Sequence, residues 1–138
     1  MSIEVQTATT ARFGDVATML GPKNPESSVC WCLSHRLDWK TNRALTGRAR
    51  GEYVRELCGR SELPFARSAK IPHVDDLPAW SAWCIRVRPG YRGQGISHVL
   101  LDGAVAYARS HGAPAIEAAD TTSVAGGFPR VLMRLDLR

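Results

Sequence analysis

The stretch Trp83-Cys84-Ile85-Arg86-Val87-Arg88-Pro89-Gly90-Tyr91-Arg92-Gly93-Gln94-Gly95-Ile96-Ser97 decides the reading of this chain. It opens as an apolar strand, turns at Pro89-Gly90, and passes through a glycine-rich loop into a helix over 97–111. Gly93 and Gly95 permit a tight turn and leave the loop's amide N–H groups unobstructed. A helix start offers free N–H groups and the positive end of aligned peptide dipoles, so it favours an anion, typically a phosphate. Arg92 adds a permanent charge in a planar fork. The segment therefore reads as a diphosphate cradle.

Two common phosphate loops are excluded by pattern. A Walker A loop ends in Gly-Lys-Ser/Thr, which is absent. A dinucleotide fingerprint needs a glycine three residues after Gly95, where His98 stands. What remains is Arg92-x-x-Gly95-x-Ser97, after a strand ending Ile85-x-Val87-x-Pro89, with Tyr91-Arg92-Gly93 leading in and Leu100-Leu101 following. This resembles the coenzyme A loop of the GNAT superfamily of N-acetyltransferases, whose pattern is Arg/Gln-x-x-Gly-x-Gly/Ala. Ser97 departs from the last position but is small enough for close approach. An ordinary glycine-rich strand-to-helix turn would share the glycines; the flanking residues favour the cofactor reading.

The bulk numbers agree with a single domain over residues 1–138. An apolar content of 44% and a charged content of 22% are those of a globular protein. No apolar run is long enough for a membrane span. Met1-Ser2-Ile3-Glu4 lacks a basic region followed by an apolar one, so the expected location is cytoplasmic. The net charge of +5, from 18 Lys and Arg against 13 Asp and Glu, suits an anionic cofactor and would also suit nucleic acid. The charges are spread out, however, with no lysine-rich tail and no helix-turn-helix or RNA-recognition signature. Cys30-Trp31-Cys32 has the wrong spacing for a zinc knuckle, and no second Cys or His pair completes a tetrahedral set. No metal is expected, and the thiols, with Cys58 and Cys84, read as reduced and packed.

Along the chain, Ile3-Glu4-Val5-Gln6-Thr7 alternates and reads as a first strand. Thr9 or Thr10 caps a helix over 11–20, with Phe13, Val16, Ala17 and Leu20 on one face. Residues 29–39, rich in Trp, Cys and Leu, pack on the core or line a substrate pocket. Thr46 caps a helix over 47–58 whose stripe is Tyr53, Val54, Leu57 and Cys58, stopped by Gly59. Residues 61–78 read as loop, with a short helix at 65–70. Residues 79–87 form the strand before the cradle, with Trp80, Ala82, Cys84 and Arg86 on one face. The following helix carries small residues and packs on a sheet. Ala115-Ile116-Glu117-Ala118 is the next strand, and strand-helix-strand implies a right-handed parallel crossover. Gly126-Gly127-Phe128-Pro129 turns into a last strand over 131–137.

The resemblance covers residues 80–118 best. It implies an α/β (α+β) fold, a mixed and mostly antiparallel sheet flanked by helices, with a strand-loop-helix cradle for coenzyme A. The Trp-Cys segment near Trp31 is similar to one in some bacterial members. Two family blocks are missing: a two-stranded hairpin between Cys58 and Ala79, and a helix after Ala118. The family's usual general-acid tyrosine lies in the second block, and Tyr107, on the helix that packs on the sheet, is not its equivalent.

The resemblance further implies acetyl-CoA as co-substrate, held by Ile85, Arg86 and Val87 along the pantetheine arm and by Arg92, Gly93, Gln94, Gly95, Ile96 and Ser97 at the pyrophosphate. His98, on the first helical turn, faces the phosphates or solvent. The implied activity is N-acetyl transfer to a primary amine by direct attack, with backbone N–H groups near Ile85–Val87 polarising the carbonyl. Glu117, Asp76 and His73 are the candidates for the catalytic base, with Asp75 and His35 as further ones. Cys84 has no His or Asp spaced to activate it, so it reads as a packed thiol. The alternatives are a non-catalytic acyl-CoA-binding module and a basic nucleic-acid-binding protein. The acceptor is a small-molecule or peptide amine. Exposed sheet edges suggest a homodimer.

Overall fold

The computed structural model describes residues 2–60, 74–82, 84–119 and 132–138. Its contacts group into two compact units, Gln6–Pro64 and the pair of segments Met1–Val5 and Phe65–Arg138.

The Gln6–Pro64 unit is helical. A 3₁₀ turn, Thr10–Arg12, leads into α1 (Phe13–Leu20); a second, Leu33–His35, is followed by α2 (Trp39–Ala44) and α3 (Arg48–Cys58). Its core is Trp31, Leu33 and Val54, against which α1 lays Phe13, Val16, Ala17 and Leu20 and α3 lays Tyr53, Leu57 and Cys58. Both stripes are the ones the 3.6-residue period predicts. Trp31 is only 8% exposed and its ring stacks on Phe13, 6.1 Å between centroids and 7° from parallel. The core reading of the Trp-Cys segment is therefore correct for Trp31. Trp31 and Cys32 lie at φ 51° and 57°, a left-handed backbone that residues with a Cβ seldom adopt. That kink leads directly into Leu33, the residue most completely buried here, at 1% exposure.

Two details differ from the sequence reading. α3 begins at Arg48 with Gly47 as its cap, in place of Thr46. α2 was not anticipated. Its cap is Asp38, whose Oδ1 accepts from the Thr41 amide at 2.9 Å and whose Oδ2 accepts from the Thr41 hydroxyl at 2.6 Å. Arg50, 6% exposed, ties the unit together. It donates to the carbonyls of Cys30, Asn42 and Leu45 and to Asn42 Oδ1, at 2.8–3.0 Å.

The other unit holds a mixed sheet of order β1-β2-β3. β1 (Trp80–Ala82) pairs parallel with β2 (Ala115–Ala119), and β3 (Leu132–Asp136) pairs antiparallel with β2. α4 (Ile96–Ser110) makes the crossover between the parallel strands. Its Ala104, Val105 and Ala108 pack with Ala113 and Ile116 and with Trp80 and Ala82, so the small residues do allow close packing on the sheet. At Gly103 the fit is tightest: a Cβ there would stand 2.5 Å from Val5 Cγ1.

That contact explains the first correction. Residues 3–7 form no strand and are exposed; Val5 meets α4 at Gly103 instead of pairing with a neighbouring backbone. The second correction concerns the strand expected over 79–87. The ladder is confined to Trp80↔Ile116, Ser81↔Glu117 and Ala82↔Ala118. Cys84 takes φ 55°, which breaks an extended run, and residues 84–88 lie outside the sheet. The expected helix at 65–70 and turn at 126–129 fall outside the described residues, as do most of the positions bearing on the two family blocks expected to be absent. No helix among the described residues is long and apolar enough to cross a membrane.

Candidate functional site

The cradle lies wholly within the sheet-bearing unit, between the end of β1 and the start of α4. Tyr91 N donates to Arg88 O at 3.1 Å and closes the Pro89-Gly90 turn. Two side chains then fold the loop onto its own backbone: Arg92 Nε donates to Val87 O and Gln94 Nε2 to Gly90 O, each at 3.2 Å. Gly93 and Gly95 both sit at φ 75°, where a side chain is strained, and nothing stands within 4 Å of where either Cβ would be. Gly95 is the N-cap of α4, and no side chain caps the helix. Its carbonyl accepts from His98 and Val99 at 3.1 and 3.3 Å. The amides from Arg92 to Ser97 make no hydrogen bond among the described residues. An uncapped helix start, a run of unengaged N–H groups, open space over two glycines and an arginine form an anion site able to hold several phosphate oxygens.

The chain matches the family model described as Acetyltransferase (GNAT) family over residues 25–125, well over half its length. The chain belongs to the GNAT family of acetyltransferases. Comparison with curated proteins and with solved structures gives no match. As a GNAT protein it is an acetyltransferase of the general kind that draws on acetyl-CoA.

The cradle of this GNAT chain fits the cofactor's diphosphate by the test of space and donors just given. Of its expected residues, Ile85, Arg86, Arg92, Gly93, Gln94, Gly95, Ser97 and His98 are exposed, and Val87 and Ile96 are half-buried. Because residues 84–87 leave the sheet, their peptide N–H groups are unengaged among the described residues; the departure from a continuous strand therefore exposes backbone beside the cradle.

The catalytic candidates separate. Glu117 lies on β2, 2% exposed, in register between Ser81 and Arg134. Arg134 Nη1 is 3.6 Å from Glu117 Oε1 and 2.8 Å from Asp75 Oδ2, so it bridges two of the carboxylates that the sequence singled out. Asp75 is hydrogen-bonded by Arg134 and by the Leu77 amide, which hold its carboxyl below the usual range. Asp76 is exposed and makes no ion pair among the described residues. His73 lies outside the described residues, and His35 belongs to the helical unit. Arg134 was missed. Its only signal was its place in the alternation of 131–137, on a strand that could pair beside Glu117. Tyr107 is a packing residue: its ring lies 6.0 Å from Trp80 and 4.1 Å from His111.

Proposed function

We propose that this GNAT protein is an N-acetyltransferase that moves the acetyl group of acetyl-CoA to a primary amine of a small molecule or peptide, by direct attack in a ternary complex. The observation that carries the reading is the open run of unengaged amides from Arg92 to Ser97 at the uncapped start of α4. Those amides and the Arg92 guanidinium hold the pyrophosphate. Gln94 keeps the loop folded through Gly90. The peptide groups of Ile85 and Val87 hydrogen-bond the pantetheine arm, and Arg86 and His98 flank it.

In the reaction the amine nitrogen bonds to the thioester carbonyl carbon and the carbon–sulfur bond breaks. The coenzyme leaves as a thiolate that takes up a proton, while the amine gives one up. A backbone N–H beyond the end of β1 stabilises the oxyanion. Glu117, Asp76 and His73 are the groups available to take the amine's proton, directly or through water. Glu117 would act as a carboxylate already paired with Arg134.

Calorimetric titration with acetyl-CoA tests the reading, with Gly95→Trp as control. The expected result is one-to-one binding by the native chain, lost in the variant, followed by release of free thiol in the presence of some primary amine. No heat of binding from well-folded native protein overturns it. Binding with no thiol release across a broad amine panel would instead favour an acyl-CoA-binding module without turnover.

A further inference from the structure

We infer that Cys30 and Cys32 form a thiol–disulfide exchange site: the Cys30 sulfur attacks a small-molecule disulfide, and Cys32 resolves the adduct into a Cys30–Cys32 disulfide. The pair belongs to the helical unit, whereas the cradle belongs to the sheet-bearing one, so the inference does not rest on acetyl transfer.

Placement comes first. Cys30 is exposed, in contrast to the packed thiol that the sequence suggested, and Cys32 is half-buried. The two stand at the first and third positions of a turn closed by the Leu33 amide, which donates to Cys30 O at 2.9 Å. Buried Arg50 donates to the same carbonyl at 3.0 Å and fixes the start of the turn. Two trans peptides separate the Cα atoms, so they lie no more than about 7 Å apart. A turn draws them nearer, into the range that a disulfide spans. Trp31 and Cys32, at φ 51° and 57°, hold central positions that glycine or asparagine usually fills. Closing the disulfide has to rotate the peptides beside Trp31, and a left-handed backbone is one that L residues leave at little cost.

Reactivity is arranged in the order that exchange needs. Cys30 Sγ is 3.3 Å from Ser34 Oγ, so its thiolate has a hydroxyl from which to accept. Burial acts to raise the Cys30 pKa, yet hydrogen bonding with the Ser34 side chain and with the backbone of Ser34, Cys32 and Leu33 brings it below the ordinary value. That enlarges the attacking fraction. Burial lowers the Arg36 pKa, while the charges of Tyr53, Cys58 and Cys32 act to raise it. The Arg36 guanidinium is thus within electrostatic reach of Cys32 and favours the resolving thiolate. Cys58 shares Arg36, but burial raises its pKa, so it is the poorer competitor. In the first step the Cys30 thiolate bonds to one sulfur of a disulfide RSSR, whose S–S bond breaks to release RS⁻. In the second, the Cys32 thiolate bonds to Cys30 Sγ and releases the other RS⁻. The two cysteines lose two electrons, the small disulfide gains them, and the two thiol protons end on the released sulfurs as RSH.

The test treats the reduced full-length protein with hydroxyethyl disulfide at neutral pH, stops the exchange with acid and reads the peptides by mass spectrometry. The native chain is expected to lose two hydrogens within the peptide that holds Cys30 and Cys32, with no lasting adduct, and dithiothreitol should reverse the change. In Cys32→Ser the mercaptoethanol adduct should accumulate on Cys30. In Cys30→Ser, residue 32 should stay unmodified over the same interval. Ser34→Ala should slow the first step about threefold, because a hydrogen bond that favours the thiolate raises its fraction more than it lowers its nucleophilicity. Circular dichroism of each variant confirms that it is folded before its rate is read. A persistent Cys30 adduct in the native chain, a Cys32–Cys58 bond in place of Cys30–Cys32, modification of Cys32 in Cys30→Ser at the native rate, or an unchanged rate in folded Ser34→Ala would each overturn the inference.

Discussion

At Arg134 two carboxylates converge, one of them Glu117 at 2% exposure. Burying an ion pair is of little net benefit, but removing one partner leaves an uncompensated charge in a low dielectric. Arg134→Met should therefore destabilise the chain by about 3 kcal/mol in urea unfolding, whereas the double change with Glu117→Gln should recover much of the loss. An unchanged midpoint for Arg134→Met would remove the structural role. Asp75 and Asp136 are both held below the usual carboxylate range, by hydrogen bonds from Arg134 and Arg138 respectively. A group whose folded pKa is depressed stabilises the fold above its unfolded pKa and loses that contribution as pH falls through the folded value. Stability should thus decline as pH drops below about 4, and Asp75→Asn should flatten that decline in thermal melts. The thiols differ in the same terms. Partial burial acts to raise the Cys30 pKa, yet hydrogen bonding with the Ser34 side chain and with the backbone of Ser34, Cys32 and Leu33 brings it below the ordinary value; burial raises that of Cys58. Iodoacetamide at neutral pH should label Cys30 before Cys58, as peptide mass spectrometry would read.

Among the elements, α4 combines a packed face with an uncapped start at which binding is proposed. Its start is uncapped and faces the cradle, and its middle gives way at Gly103 to the N-terminal segment. Gly103→Leu would place a side chain on Val5 and should cost about 1–3 kcal/mol of stability by overpacking. Trimming Val5 to Gly in the same chain should restore most of it; if it does not, the contact is not what limits Gly103. Much of α1, α3 and α4 was legible, because an apolar stripe at three- and four-residue steps needs only one face to be covered. α2 was not, because Trp39-Lys40-Thr41 carries no stripe and only the Asp38-x-x-Thr41 cap marked its start. The turn of the glycine-rich loop was legible for a local reason as well: the positive φ of Gly93 and Gly95 and the bond from Arg92 to Val87 lie within nine residues.

For the molecule as a whole, the net charge of +5 left a nucleic-acid partner open. Neutralising phosphates along a duplex releases counterions, so such binding falls steeply with salt, while a single diphosphate in a cradle is affected far less. Acetyl-CoA affinity should change little between low and physiological salt, and any duplex binding should collapse over the same range in a fluorescence assay. Within the helical unit, Arg50 joins three chain segments through Cys30, Asn42 and Leu45. Arg50→Met would remove the donor that the part-buried carbonyls of Asn42 and Leu45 share and should lower stability by roughly 1–3 kcal/mol, lowering the urea midpoint while α1 and α3 keep their intrinsic propensity.

The sequence by itself determined what short-range patterning can specify: three helices with their apolar stripes, the parallel strand-helix-strand, the glycine-rich loop that enters α4, and the family. Only the tertiary structure decided where β1 stops, why residues 3–7 do not pair, and which side chains Arg50 and Arg134 serve. Each of these depends on groups far apart in the chain. Val5 meets Gly103 98 positions on, and Asp75 and Glu117 meet at Arg134, so no window of sequence contains the interaction that settles them.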